Sequence, residues 1–217
     1  MNNKLQILLS LPKTIWFNLR HLPIRQGLKL PIFVHYNTEI EVKGTVLIEY
    51  GVRTALIRFG FHDIPSKPKV KGRLLVDGTL IFKGSAHIGM GSVIHVEKDG
   101  ELILGDNFAI SGCSTINCYK KITFGRDIQF AWDDLVMDSD THTIYDENGN
   151  VCNEPREIVF GDKIWIGCRS TIMKGSKIPS NCVIGACSFV SGDKFEPNAI
   201  IVGSPAKSRK KIGGWEL

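Results

Sequence analysis

From Phe160 onward a large apolar residue returns at every sixth position: Phe160, Ile166, Ile172, Ile178, Ile184 and Val190. The next position is usually small or turn-prone, as at Gly161, Gly167, Pro179, Gly185 and Ser191. Four positions on, small residues recur at Ser170, Ser176, Cys182 and Ser188. An earlier run keeps the same six-residue spacing through Leu104, Ile110, Ile116, Ile122 and Ile128, and a weaker prelude passes through Leu75, Ile81, Ile88 and Ile94. Helices repeat every 3.6 residues and half-buried strands every two, so a period of six fits neither. It suits a coil with three flat sides, each a short strand followed by a corner. The large aliphatic points inward, and Gly, Asn or Asp turns the corner, where φ can be positive. Stacked coils pair as parallel strands and pile like residues into internal ladders. The pattern therefore predicts an all-β parallel β-helix of hexapeptide repeats.

The rhythm breaks once. After Ile128 the phase slips through Phe130 and Val136 and reaches His142, which places an imidazole at or beside a core position. From Thr143 to Glu157 the repeat disappears; this insertion, TIYDENGNVCNEPRE, contains Asn148-Gly149, a strong hairpin-turn signal. A coil stack that ejects a polar loop beside a histidine works against its own packing, and such local violations mark functional sites.

Outside the repeat, Met1 to Val34 mixes apolar residues (Leu8, Leu9, Ile15, Trp16, Phe17) with basic ones (Lys4, Lys13, Arg20, Arg25, Lys29), and prolines at 12, 23 and 31 divide it. The expectation is one or two short helices packed on the coils, with a helix lying on a membrane surface as the alternative. The chain then divides into an N-terminal helical and extended segment (1–70), the β-helix (71–206) with its insertion (143–157), and a basic C-terminal tail (207–217). With 217 residues, 43% hydrophobic and 23% charged, the composition is that of an ordinary globular protein, and 22 glycines agree with many tight turns. A net charge of +5 is too mild to argue for nucleic acid. The six cysteines include no CxxC pair and are read as reduced, small, buried apolar residues, which together with the lack of a signal-peptide pattern points to the cytoplasm. By itself the run Lys207, Arg209, Lys210, Lys211 reads as a solvated tail.

The stretch FGDKIWIGCRSTIMKGSKIPSNCVIGACSFVSGDKFEPNAIIVGSPAK, residues 160 to 207, resembles the donor-binding end of the hexapeptide-repeat acyltransferases, in particular sugar O-acetyltransferases of capsule and lipopolysaccharide gene clusters. A looser likeness covers residues 72 to 210. The resemblance implies a left-handed helix, acetyl-CoA as acyl donor, no metal, and a homotrimer with its active site between neighbouring chains. MDSDTH, residues 137 to 142, falls where that family carries its catalytic histidine, which makes His142 the general base. The chemistry needs one: a sugar hydroxyl is a weak nucleophile at neutral pH, and an imidazole can take its proton as it attacks the thioester directly in a ternary complex. Asp138 or Asp140 is available to orient the ring, with Asp140 preferred. The family's Trp-Ile-Gly triplet, which lines the pantetheine groove, falls on Trp165, Ile166 and Gly167. Its small residues along the same arm fall on Gly185 and Ala186, and its hydroxyl residue on Ser191. The basic residues that meet the CoA phosphates fall on Lys207 and Lys210. Cys168 departs from the pattern, since many relatives carry Ser or Asn there; backbone contacts survive that change and a side-chain hydroxyl contact does not.

Other readings fare worse. A zinc enzyme of the γ-carbonic anhydrase type needs an H-x4-H pair and a third histidine, whereas the histidines here are 21, 35, 62, 87, 95 and 142. An amino-acid acceptor such as serine goes in that family with a large helical N-terminal domain, whereas only residues 1–34 here read as helical. That acceptor, or an amino sugar acetylated on nitrogen, is the alternative to a sugar, nucleotide-sugar or polysaccharide-precursor hydroxyl. A non-catalytic β-helix binding module would need neither the His142 loop nor the Trp165 groove.

Overall fold

The computed structural model describes residues 3–216; residues 1, 2 and 217, at the ends of the expected N-terminal segment and C-terminal tail, lie outside it. Helix α1 (Asn3–His21) and the short helix α2 (Ile24–Gly27) precede strands that build three sheets of nine, seven and six strands. Each sheet takes one strand from each successive coil, and pairing is parallel throughout except where Ala206–Lys211 folds back antiparallel on Ala199–Gly203. This is the left-handed parallel β-helix that the six-residue period and the resemblance implied.

Stacking places identical positions on top of one another. Ile94, Ile116, Val136, Ile172 and Val190 are successive register partners in one sheet, all buried. Ile88, Ile110, Phe130, Ile166, Ile184 and Ile201 do the same in another. Between the ladders Phe124 stacks on Phe160 with ring centroids 4.5 Å apart. Corners entering the nine-stranded sheet are turned by Asn107, Asp127, Lys163, Asn181 and Asn198, all at φ between 56° and 58°. Asn and Asp tolerate this left-handed region better than other side-chain-bearing residues.

Several expectations move. The coils begin at Ile32 rather than at 71: Ile32–Val34, Glu39–Val42, Thr45–Ile48 and Ile57–Phe59 already belong to the three sheets. Val34, Ile40 and Val46 already hold the six-residue spacing, and the longer segments 49–56 and 60–72 then interrupt it. In the prelude Leu74 and Val76 fill the core and Leu75 faces outward. Pro12 does not interrupt α1, which is docked on the coils by side chains on both sides of the proline. Cys118 and Cys182 are buried, but Cys152 and Cys187 are exposed.

The docking of α1 inverts the usual amphipathic rule. Its buried positions are mostly polar: Gln6, Ser10, Thr14 and Asn18, with Phe17 beside them. The reason is the open edge of the first coil, whose main-chain groups need partners. The Val34 N–H donates to Thr14 Oγ1 (3.1 Å), the Ile32 N–H to Asn18 Oδ1 (3.0 Å) and the Tyr36 N–H to Ser10 Oγ (3.0 Å). Asn18 Nδ2 returns a hydrogen bond to the Ile32 carbonyl at 2.6 Å.

Candidate active site

The insertion leaves a gap that one carboxylate closes. In regular coils the corner amides donate to carbonyls of the next coil, as Glu97 does to Cys118 (2.8 Å) and Glu101 to Lys120 (3.0 Å). One coil further the chain departs, and the amides of Tyr119, Lys120 and Lys121 donate instead to the side chain of Asp138 at 2.7, 2.8 and 2.7 Å. Asp138 is fully buried. Its carboxylate is consumed by this backbone nest and is unavailable to His142 or to an acceptor.

Beyond Asp138 the chain rises into the solvent. Asn153 pins the insertion's base: Nδ2 donates to the His142 carbonyl (2.7 Å) and to Asp140 Oδ2 (3.0 Å), while Oδ1 accepts the Ile144 N–H (2.7 Å). Lys174, from the following coil, donates to Asp140 Oδ2 and to the Asn153 carbonyl. The Lys174 hydrogen bond, reinforced by that from Asn153, holds the Asp140 carboxyl below its ordinary range. Asp140 therefore meets Lys174 and Asn153, and among the described residues no hydrogen bond joins it to the His142 ring. The ring itself is exposed rather than set in the core, because the core position is taken by residues of the coil that resumes at Ile158. The tip is a hairpin: Tyr145 bridges Val151, Asp146 accepts the amides of Asn148 and Asn150, and Gly149 supplies φ +80°. Ile144, Tyr145 and Val151 stand exposed on it.

Trp165 lies on the outer face of the nine-stranded sheet, 45% exposed, between Gln129 and Val183 of adjacent coils. The corner that follows is a strip of small residues, made by Gly167 and Cys168 with Gly185 and Ala186 of the next coil. A Cβ at Gly167 would sit 2.7 Å from the Ala186 nitrogen, so only glycine lets these coils stack. Buried Ser170 and Ser188 donate to the carbonyls of Gly167 (2.7 Å) and Gly185 (2.6 Å), satisfying the corner from inside. Ser191 and Lys207 line an open groove of about 460 Å³ at the C-terminal end of the stack. Lys210 is exposed on the strand carrying Lys207 and does not line that groove.

The structure thus gathers Gly167, Cys168, Gly185 and Ala186 at one corner, and Ser191 with Lys207 in one groove. It does not bring His142 near Trp165 within one chain: the histidine rises from the corner between the seven- and six-stranded sheets, while the tryptophan faces out from the third. Sequence alone gives no sign of Lys174 or Asn153, whose roles depend on where the insertion folds back.

No family model matches the chain. It is 28% identical over 144 residues to the lipopolysaccharide biosynthesis O-acetyl transferase WbbJ of Escherichia coli K12, covering 62% of this chain and 73% of that one. It is 34% identical over 105 residues to the polysialic acid O-acetyltransferase of Neisseria meningitidis, about half of either chain (48% and 49%). Among solved structures, the polySia-specific acetyltransferase NeuO superposes with a TM-score of 0.59 at 24% identity, over 85% of this chain and 74% of that one, and shows the shared fold. The resemblance to hexapeptide-repeat acyltransferases is borne out, and with it an enzyme that transfers acyl groups.

Proposed function

We propose that this relative of the O-acetyltransferases moves an acetyl group from acetyl-CoA to a hydroxyl of a saccharide or saccharide precursor, with His142 as general base. The observation that carries this reading is the insertion itself. It holds an imidazole in solvent on a braced base, raised out of a stack whose internal ladders are buried. The acceptor hydroxyl gives its proton to His142 as its oxygen attacks the thioester carbonyl; the tetrahedral intermediate then breaks its C–S bond, and the imidazolium returns the proton to sulfur so that CoA leaves as the thiol.

Donor binding is assigned to the strip beside Trp165. Its small residues suit an extended pantetheine arm, with the indole covering one side. The amides of Cys168 and Ala186 donate to no protein acceptor among the described residues, leaving two N–H groups for pantetheine or for the oxyanion. Cys168 takes part through its main chain. Lys207 and Lys210 supply positive charge for the phosphates, and Ser191 a hydroxyl in the groove with Lys207.

His142 and Trp165 sit on different sides of one chain, so a complete site needs a neighbour. We assign it to a homotrimer in which the His142 loop of one protomer faces the Trp165 strip of the next. The exposed Ile144, Tyr145 and Val151 then meet the adjoining chain or the acceptor.

Following free thiol release from acetyl-CoA with a panel of saccharide acceptors tests the reading. Wild-type protein should release CoA only with a suitable acceptor. His142→Ala should lower turnover by about 10²–10⁴ while keeping acetyl-CoA affinity and the thermal midpoint. Undiminished turnover in that variant removes His142 from its role.

A further inference from the structure

Helix α1 spends its polar face on the edge of the first coil, and its apolar face is left outside. Leu5, Leu8, Ile15 and Leu19 form an outward stripe, with Trp16 at its flank; Leu8 is 62% exposed and Trp16 52%. At 100° per residue these five occupy an arc of about 100° opposite the docked residues. The stripe continues past Pro23 into Ile24 and Leu28, both also exposed. Exposed Arg20, Arg25 and Lys29 accompany it, and residues 3–38 contain no Asp or Glu. No helix of the described residues is long and apolar enough to cross a membrane.

We propose that α1 and α2 dock this protein on an anionic lipid bilayer, with the apolar stripe immersed at headgroup level. The charge argues for this occupant. A run of residues with basic groups and no acidic ones complements anionic headgroups, whereas a second copy would bring the same cations against themselves. Leucines with a tryptophan at the margin form the apolar face suited to the membrane interface.

The docking fixes orientation as well as attachment. Because Ser10, Thr14 and Asn18 tie α1 to the first coil, the stack stands on the membrane with that coil lowest. The His142 loop leaves from the fifth coil, four rises of about 4.8 Å higher, so roughly 19 Å above it. This goes beyond the acetyl-transfer reading and does not depend on it.

Flotation of the full chain with phosphatidylcholine vesicles, with and without phosphatidylglycerol, tests the proposal. Wild-type protein should bind the phosphatidylglycerol vesicles at least tenfold more tightly than pure phosphatidylcholine. The double variant L8Q/W16Q should lose tenfold or more of that binding, and R20Q/R25Q should lose the preference for anionic lipid. Both should keep the thermal midpoint and thiol release with a soluble acceptor, since neither touches the coil edge or the site. Wild-type protein that stays off anionic vesicles, or L8Q/W16Q that floats like wild type, overturns it. A smaller assembly for L8Q/W16Q in light scattering overturns it too, by assigning the stripe to contact between copies.

Discussion

Lys174 and Asp140 form an ion pair across the base of the insertion, with Nζ 2.5 Å from Oδ2 and the lysine side chain only 12% exposed. The pair braces the start of the loop, and Asn153 joins Asp140 to the His142 backbone; under the proposed function Asp140 is thereby a positioning residue. Lys174→Met should cut kcat about tenfold or more by loosening the base of the loop, leaving KM for acetyl-CoA unchanged because the Trp165 strip lies elsewhere. Steady-state kinetics in both substrates check this. The Asp140 carboxyl is held low, so its contribution to loop order is present above the ordinary carboxylate pKa of about 4 and is lost only as pH falls through its lower folded value.

If the site is shared between chains as proposed, it can be rebuilt from two broken ones. His142→Ala and Trp165→Ala should each be nearly inactive as pure assemblies. Refolded or co-expressed together, they should regain a substantial fraction of wild-type thiol release, because some interfaces pair an intact His142 with an intact Trp165. If both residues served from one chain, mixing would restore nothing.

Asp138 is expected to matter for stability more than for chemistry. Asp138→Ala strands three corner amides and should cost about 3 kcal/mol or more. Asp138→Asn keeps one acceptor oxygen and should cost less. Denaturant midpoints at fixed m-value separate the two.

Asp134 sits in an internal column with Ser114 and Ser170. Its Oδ1 accepts the Ser170 amide at 2.9 Å, Oδ2 is buried without a partner, and burial pushes the carboxyl up to about 7. The folded state then holds a proton that the unfolded chain releases near pH 4. Stability from this group is therefore full below about pH 4 and is lost as pH rises through about 7. Asp134→Asn should raise the thermal midpoint at pH 8 and flatten its decline between pH 5 and 8, both read by scanning fluorimetry.

The later coils were legible because their corners are short. From Phe160 each coil is three hexads, and every sixth residue falls on the same internal ladder. In the coils from Ile32 to Phe59 the hexad shows only at Val34, Ile40 and Val46 before the segments 49–56 and 60–72 interrupt it, and two-residue alternation in Leu74 and Val76 is a weak signal beside a period of six. At the site, the sequence located the insertion and its hairpin tip. It did not distinguish Asp138 from Asp140, since which carboxylate turns inward depends on the three amides the insertion leaves unpaired. Lys174 reads as one more surface lysine until the fold brings it beneath the loop.

Ile128 and Ile164 are register partners 36 residues apart, whereas Ile164 and Cys182, the next pair, are 18 apart. An excursion as long as a whole coil is thus spliced in while the ladders above and below keep their alignment. The stack behaves as a socket: Asp138 seals the rim, Lys174 latches the plug, and the plug carries the exposed His142, Ile144, Tyr145 and Val151. Loops of other lengths and chemistries can be exchanged there without refolding the barrel of coils beneath, so under the proposed assignment acceptor preference changes independently of the donor strip.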